Sequence, residues 1–222
     1  MGENINLTAK DGVTIGAYRS APADEPKGGI VVLQEIFGVN HHIRAVADRY
    51  ASAGYLAIAP ALFDRVEPGV ELGYGEKDRP RAMEIRGKTK LEETLADIEA
   101  AIALAAAGGS VGVVGYCWGG TLAWAAATRL SGISATVGYY GGGIAGMLNE
   151  QPRAPIILHF GERDKHIPLS DVEKIKAAHP EILVFTYPAD HGFNCDERES
   201  YDAASAKEAQ ARTFTFFAEN LA

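Results

Sequence analysis

Cysteine is scarce in this chain: Cys117 and Cys195 are the two among 222 residues, too few for a disulfide framework and not in a zinc-like Cys-x-x-Cys spacing. No run of about 18 uninterrupted apolar residues occurs, so a membrane-spanning helix is not expected. The start, Met1-Gly2-Glu3-Asn4, lacks both the basic and the apolar segment of an export signal. Positive charge is also short: a net charge of −8 argues against nucleic-acid partners and an anionic membrane surface. No internal repeat or low-complexity tract appears beyond the alanine-rich end of one helix. These absences leave a cytoplasmic protein with reduced thiols as the expectation. What is present, 47% hydrophobic and 23% charged residues, is ordinary globular composition, and the length suits one domain over 1–222.

The hydrophobic pattern alternates between two periods. Ile5 to Ala9 and Val13 to Arg19 flank the turn signal Asp11-Gly12, which predicts a hairpin. Continuous apolar runs follow at Gly29 to Gln34 and Val111 to Val114, and further strand-like segments at Tyr55 to Ala59, Ile133 to Tyr139, Pro155 to Phe160 and Ile182 to Tyr187. Such runs are typical of strands buried on both faces of a parallel sheet. Helical spacing falls between them, at His42 to Ala53, Thr121 to Leu130, Leu169 to Ala178 and Tyr201 to Asn220. Arg81 to Ala107 reads as one long helix or two, with Gly87 a possible break, and Leu62 to about Pro80 as a loop over one end of the sheet. The alternation predicts an α/β fold: a mostly parallel, doubly wound sheet with an N-terminal antiparallel hairpin and helices on both faces.

The stretch Gly115-Tyr116-Cys117-Trp118-Gly119 sits between a predicted strand and a predicted helix. That is the context of a Gly-x-nucleophile-x-Gly elbow, in which a sharp turn lifts one side chain off the sheet. Cys117 holds the nucleophile position, and the N–H of Trp118, at the helix start, is placed to stabilise developing negative charge. The competing reading is a buried cysteine acting as a small hydrophobe.

Functional groups in a doubly wound sheet gather at the carboxyl ends of the strands. Here those ends carry Glu35, Cys117, Asp164 and His191, and the order nucleophile, acid, histidine is that of an α/β-hydrolase triad. His191 can take and return the thiol proton while Asp164 orients its ring. His159, inside an apolar strand, reads as a core residue; His166 lies too near Asp164 in sequence to supply a separate arm; His179, before Pro180, reads as a solvated helix cap. Asp190 adjoins His191 and cannot easily fold back on its ring, and Glu162 is a further rival for the acid.

With these residues in place, the chain resembles the dienelactone hydrolase family of α/β-hydrolases, whose named activity is carboxymethylenebutenolidase. The resemblance is carried by Gln34-Glu35-Ile36-Phe37-Gly38-Val39-Asn40, by the elbow through Gly120, and by Tyr139-Tyr140-Gly141. It implies that Cys117, Asp164 and His191 form the triad and that the N–H groups of Ile36 and Trp118 form the oxyanion hole. It also implies that Glu35 contacts the thiol and helps to generate the thiolate when substrate arrives. The implied reaction opens a lactone or enol ester through a thioester on Cys117, needs no metal or organic cofactor, and belongs to aromatic-compound degradation.

The family resembles itself in holding a substrate carboxylate with arginines, one shortly after the histidine and one after the strand Tyr55 to Ala59. Here the candidates are Arg198, which comes later than that pattern, and Arg79, Arg81 and Arg86. Phe37 and Trp118 can wall a pocket for a planar ring. Cys195, four residues beyond His191, is near enough to line the same cleft and is read as a bystander. The expected partner is a small lactone or ester, and the expected state a monomer. Two other readings stay open: a promiscuous carboxylesterase or thioesterase on the same scaffold, and a non-catalytic ligand-binding or thiol redox-sensing protein.

Overall fold

The computed structural model describes residues 2–221; Met1 and Ala222, the ends of the expected 1–222 domain, lie outside the described residues. The chain opens with β1 (Glu3–Thr8) and β2 (Thr14–Ser20), antiparallel with Thr8 opposite Thr14. Their turn is built by Asp11, whose carboxylate accepts the Val13 N–H, and by Gly12 at φ +85°. The remaining strands are β3 (Gly29–Leu33), β4 (Leu56–Pro60), β5 (Val111–Tyr116), β6 (Ala135–Tyr139), β7 (Ile156–Gly161) and β8 (Leu183–Tyr187). They form one eight-stranded sheet in the order β1-β2-β4-β3-β5-β6-β7-β8, parallel from β4 to β8. β2 joins β4 antiparallel.

The order contains one reversal. After β3 the chain moves outward to β4 and then returns to place β5 on the other side of β3. The connections therefore part between the carboxyl ends of β3 and β5, which opens a crevice there.

Helices α1 (His41–Ser52), α2 (Asp78–Arg86), α3 (Leu91–Ala105), α4 (Trp118–Arg129), α5 (Leu169–Ala178) and α6 (Ala203–Asn220) cover the sheet. Strand side chains alternate between faces, so Ile30 and Val32 pack in the core beneath α1 and α6, whereas Val31 and Leu33 pack beneath α3 and α4. On α3 the stripe Leu95, Ile98, Ala101, Ile102 and Ala105 is buried. Burying each larger aliphatic side chain there contributes about 1.5–3 kcal/mol. No helix among the described residues is long and apolar enough to cross a membrane.

The stretch left open as one helix or two is two. α2 ends at Gly87, and the Thr89 hydroxyl donates to the Arg86 carbonyl, diverting the chain before α3. α2 also begins inside the stretch expected to be loop. Pro80 fits its first turn, where a missing N–H costs nothing. α4 starts at Trp118, three residues earlier than the Thr121 expected, because the elbow feeds directly into the helix.

His159 is a core residue, its ring between the Tyr187 and Thr213 hydroxyls at 2.9 and 3.2 Å. His179 corrects its reading as a solvated cap. It ends α5, but its ring is fully buried, with Nε2 on the Leu148 carbonyl at 2.9 Å and an edge-on contact with Trp124. The connection after β6 comes across the helix end and covers it.

Burial, with Arg212 nearby, pushes the His159 imidazole down to about 3 from the ordinary 6.5. A base whose folded-state value is depressed stabilises the fold above pH 6.5 and loses that contribution as pH falls toward 3. Denaturant titrations between about pH 7 and 4 should therefore show wild type losing about 2–3 kcal/mol more stability than His159→Phe over that range. Parallel profiles for the two proteins would contradict the assignment.

Candidate active site

Cys117 leaves β5 with φ 56° and ψ −115°, a conformation that side-chain-bearing residues avoid and that costs about 1–3 kcal/mol. The turn is tight enough that a Cβ on Gly115 would collide with the Gly119 carbonyl, and one on Gly119 with the Leu33 carbonyl. Only glycine fits either place. The Cys117 N–H bonds the Tyr139 carbonyl of the next strand at 3.0 Å, while its own carbonyl accepts the Gly120 and Thr121 N–H groups and starts α4. The N–H of Trp118 opens that helix, and the N–H of Ile36 follows β3 across the crevice. Among the described residues neither of these two N–H groups donates to a protein acceptor.

The thiol meets a chain of hydrogen bonds. His191 Nε2 lies 3.2 Å from Cys117 Sγ, and His191 Nδ1 lies 2.7 Å from Asp164 Oδ2. Asp164 is held for this by its other oxygen, which accepts the N–H groups of His166 and Ile167 at 2.8 and 3.2 Å in the turn after β7. Its rivals are engaged elsewhere: Asp190 accepts the backbone N–H of His191, and Glu162 accepts the Thr186 hydroxyl. Burial lowers the His191 value, but the hydrogen bonds to Asp164 and Cys117 outweigh it and raise the imidazole to about 10. The arrangement favours a protonated ring within hydrogen-bond reach of the sulfur.

Glu35 corrects an expectation. It is 1% exposed, and it contacts Arg198 and Tyr74 rather than the thiol, with Oε1 accepting from Arg198 at 3.0 Å and Oε2 from the Tyr74 hydroxyl at 2.9 Å. A buried carboxylate needs compensating donors, and these two supply them. Arg198 also lies over the Phe37 and Tyr74 rings, 5.9 and 5.7 Å from their centroids. Tyr74 was not among the sequence candidates; burial and the neighbouring Glu35 push its phenol far above the ordinary value. Cys195 does not line the cleft. It is fully buried, and burial together with Glu35 raises its thiol to about 12.

The crevice holds a cavity of about 230 Å³ with Cys117, His191, Ile36, Trp118, Phe37, Tyr140 and Arg198 in its wall. Arg79, Met83, Arg86 and His166 stand at its mouth, which continues into a second hollow of about 540 Å³ sharing Phe37, Arg79, Met83 and Arg198. Arg79, Met83 and Arg86 recur along α2 at helical spacing and so share one face. Arg81 falls on another face, paired with Glu67 and Glu84, and is not a cleft residue. His166, set aside from sequence because it is so close to Asp164, is brought edge-on to His191 with ring centroids 5.4 Å apart.

Residues 15–221 match the dienelactone hydrolase family. A Synechocystis sp. protein named "Putative carboxymethylenebutenolidase" is 38% identical over 212 residues, 86% of this chain and 86% of its own. The carboxymethylenebutenolidase of Pseudomonas putida is 35% identical over 227 residues, 97% of this chain and 96% of its own. Among solved structures, a "Putative Dienelactone Hydrolase" from Klebsiella pneumoniae subsp. pneumoniae superposes with a TM-score of 0.83 at 31% identity, covering 99% of each chain.

The raised His191 value has a sign that can be tested. Its contribution to stability is full below the ordinary 6.5 and is lost as pH rises through about 10. Removing the sulfur removes one of the two hydrogen bonds that raise it. Proton NMR of the imidazole should place the His191 midpoint near pH 10 in wild type, and lower in Cys117→Ala, where only Asp164 remains to raise it. An unchanged midpoint would show that the sulfur contributes nothing.

Proposed function

The chain belongs to the dienelactone hydrolase family, and we propose that it hydrolyses a carboxylate-bearing lactone or enol ester through a thioester on Cys117. The observation that carries this reading is the hydrogen-bonded row Cys117, His191, Asp164 at the bottom of the crevice, facing two backbone N–H groups free to donate. All the groups come from one chain, so a monomer with residues 1–222 as one domain suffices.

In the proposed reaction the Cys117 sulfur attacks the carbonyl carbon, and the N–H groups of Ile36 and Trp118 hold the oxyanion. Collapse breaks the carbon–oxygen bond, and the enolate leaves with the proton from His191 Nε2. Acylation also cancels the negative charge on sulfur. The imidazole then loses one of the interactions that kept it protonated, and as a neutral ring it can take a proton from water. Hydroxide attacks the thioester, the carboxylic acid departs, and the sulfur regains its partnership with the imidazolium. Asp164 holds the ring in register throughout.

Arg198 and Arg79 form the proposed carboxylate clamp, with Arg86 further along the same helix face. Arg198 spends one nitrogen on Glu35 and keeps other donors for the substrate. A substrate carboxylate that draws Arg198 away leaves Glu35 without its counter-charge at the edge of the cavity. Phe37 and Trp118 give the cavity flat apolar walls for a planar ring. The rival reading, a general carboxylesterase, is favoured by the open mouth, where Arg79 and Arg86 are exposed to solvent and a neutral ester needs neither.

Steady-state hydrolysis of a carboxylate-bearing dienelactone and of p-nitrophenyl acetate separates the two. Wild type should prefer the dienelactone in kcat/KM. Cys117→Ala should lose activity on both by about 10³-fold or more, and Cys117→Ser should retain only weak turnover, because a hydroxyl is far less acidic than a thiol. Cysteine-dependent turnover of the neutral ester alone would support the esterase reading; full activity in Cys117→Ala would remove the sulfur from the mechanism.

A further inference from the structure

His166 is the histidine at the cleft that the proposed chemistry leaves unused. Its backbone N–H is bound to Asp164 Oδ1 at 2.8 Å, so the turn that presents Asp164 to His191 also fixes this residue beside them. On its far side, Nε2 lies 3.2 Å from a terminal nitrogen of Arg79, 87 residues earlier on α2. A guanidinium has donors only, so the ring nitrogen is the acceptor and His166 is neutral, with its proton on Nδ1. The charged groups around it agree. Burial, His191 and Arg79 hold it below the ordinary imidazole value against the opposing influence of Asp164 and Asp190.

The helix on the other side is lightly attached. α2 spans nine residues, buries only Ala82 and Ile85, and has no side-chain cap at Lys77. Arg79 is exposed on its open face, where a long side chain without a partner samples many rotamers and must be ordered again each time a ligand binds. We propose that His166 is a positioning residue that holds the Arg79 guanidinium over the mouth of the cleft and thereby sets the preference for substrates bearing a carboxylate. This rests on the clamp proposed above. A neutral acceptor suits the task better than a charged one. A carboxylate at this place would pair with Arg79 and compete with the substrate, whereas an imidazole orients the guanidinium and leaves its charge available.

The test compares His166→Phe, which keeps a ring but loses the acceptor, with His166→Gln, which keeps an acceptor. With the dienelactone and p-nitrophenyl acetate as substrates, His166→Phe should raise KM for the dienelactone by about fivefold more than for the neutral ester, with kcat within about twofold of wild type. His166→Gln should stay near wild type, and in an Arg79→Ala background His166→Phe should add nothing. An equal rise for both substrates, or an undiminished effect of His166→Phe in Arg79→Ala, would overturn the proposal. NMR titration of His166 separates this idea from the clamp, because losing the Arg79 cation should move its midpoint upward whatever the substrate. A midpoint that does not move in Arg79→Ala overturns the contact. One that moves while both KM values stay at wild-type levels keeps the contact and sinks the clamp.

Discussion

The positive φ at Cys117 is the constraint on which the crevice is built. Holding a side-chain-bearing residue there brings α4 so close to β5 and to the end of β3 that Gly115 and Gly119 have no room for a Cβ. The close approach points the sulfur out of the sheet and places the Trp118 N–H at the first turn of α4. It does so at the point where the connections from β3 and β5 part, so Ile36 arrives from the opposite side. Strain of about 1–3 kcal/mol is small against the burial of two cores, and the hydrogen bond from Cys117 N to Tyr139 helps to hold it.

Around this point the charges fall into two buried pairs, Asp164 with His191 and Glu35 with Arg198. Each carboxylate is almost fully buried and is satisfied on both oxygens, so each holds its partner in one place. The pairs differ in what a ligand can do to them. The first is closed by backbone N–H groups in the turn after β7 and does not depend on cleft contents. The second ends on Arg198, which forms part of the cavity wall and can be engaged by an anion. One pair keeps the histidine ready, and the other leaves Glu35 sensitive to what enters.

Much of this was legible because the sequence carries the relevant physics locally. The run Gly29 to Leu33 has no polar residue and must be buried on both faces; the glycines around Cys117 mark a turn that nothing larger can make. Asp164 could be preferred over Asp190 because an adjacent carboxylate cannot easily fold back on the ring, and Asp190 instead accepts the His191 N–H. Most of the failures are long-range. Tyr74 sits in an irregular stretch without period, and only its distance from Glu35 gives it a place. His179 ends a helix, as its position beside Pro180 suggested, but the chain near Leu148 returns to cover it. Glu35 was drawn to the thiol by family resemblance, and two donors from other loops hold it instead. Arg81 and Arg79 look alike in sequence and separate only once the register of α2 is known.

The central claim is that Cys117 carries the acyl group. Rapid-quench intact-protein mass spectrometry during turnover of p-nitrophenyl acetate, followed by peptide mapping, tests it directly. The account predicts an added acetyl group on the peptide containing Cys117, formed faster than it decays in His191→Ala supplied with excess ester and absent in Cys117→Ala. Acetyl found on another residue, or steady turnover by Cys117→Ala with no adduct at any time, would contradict it.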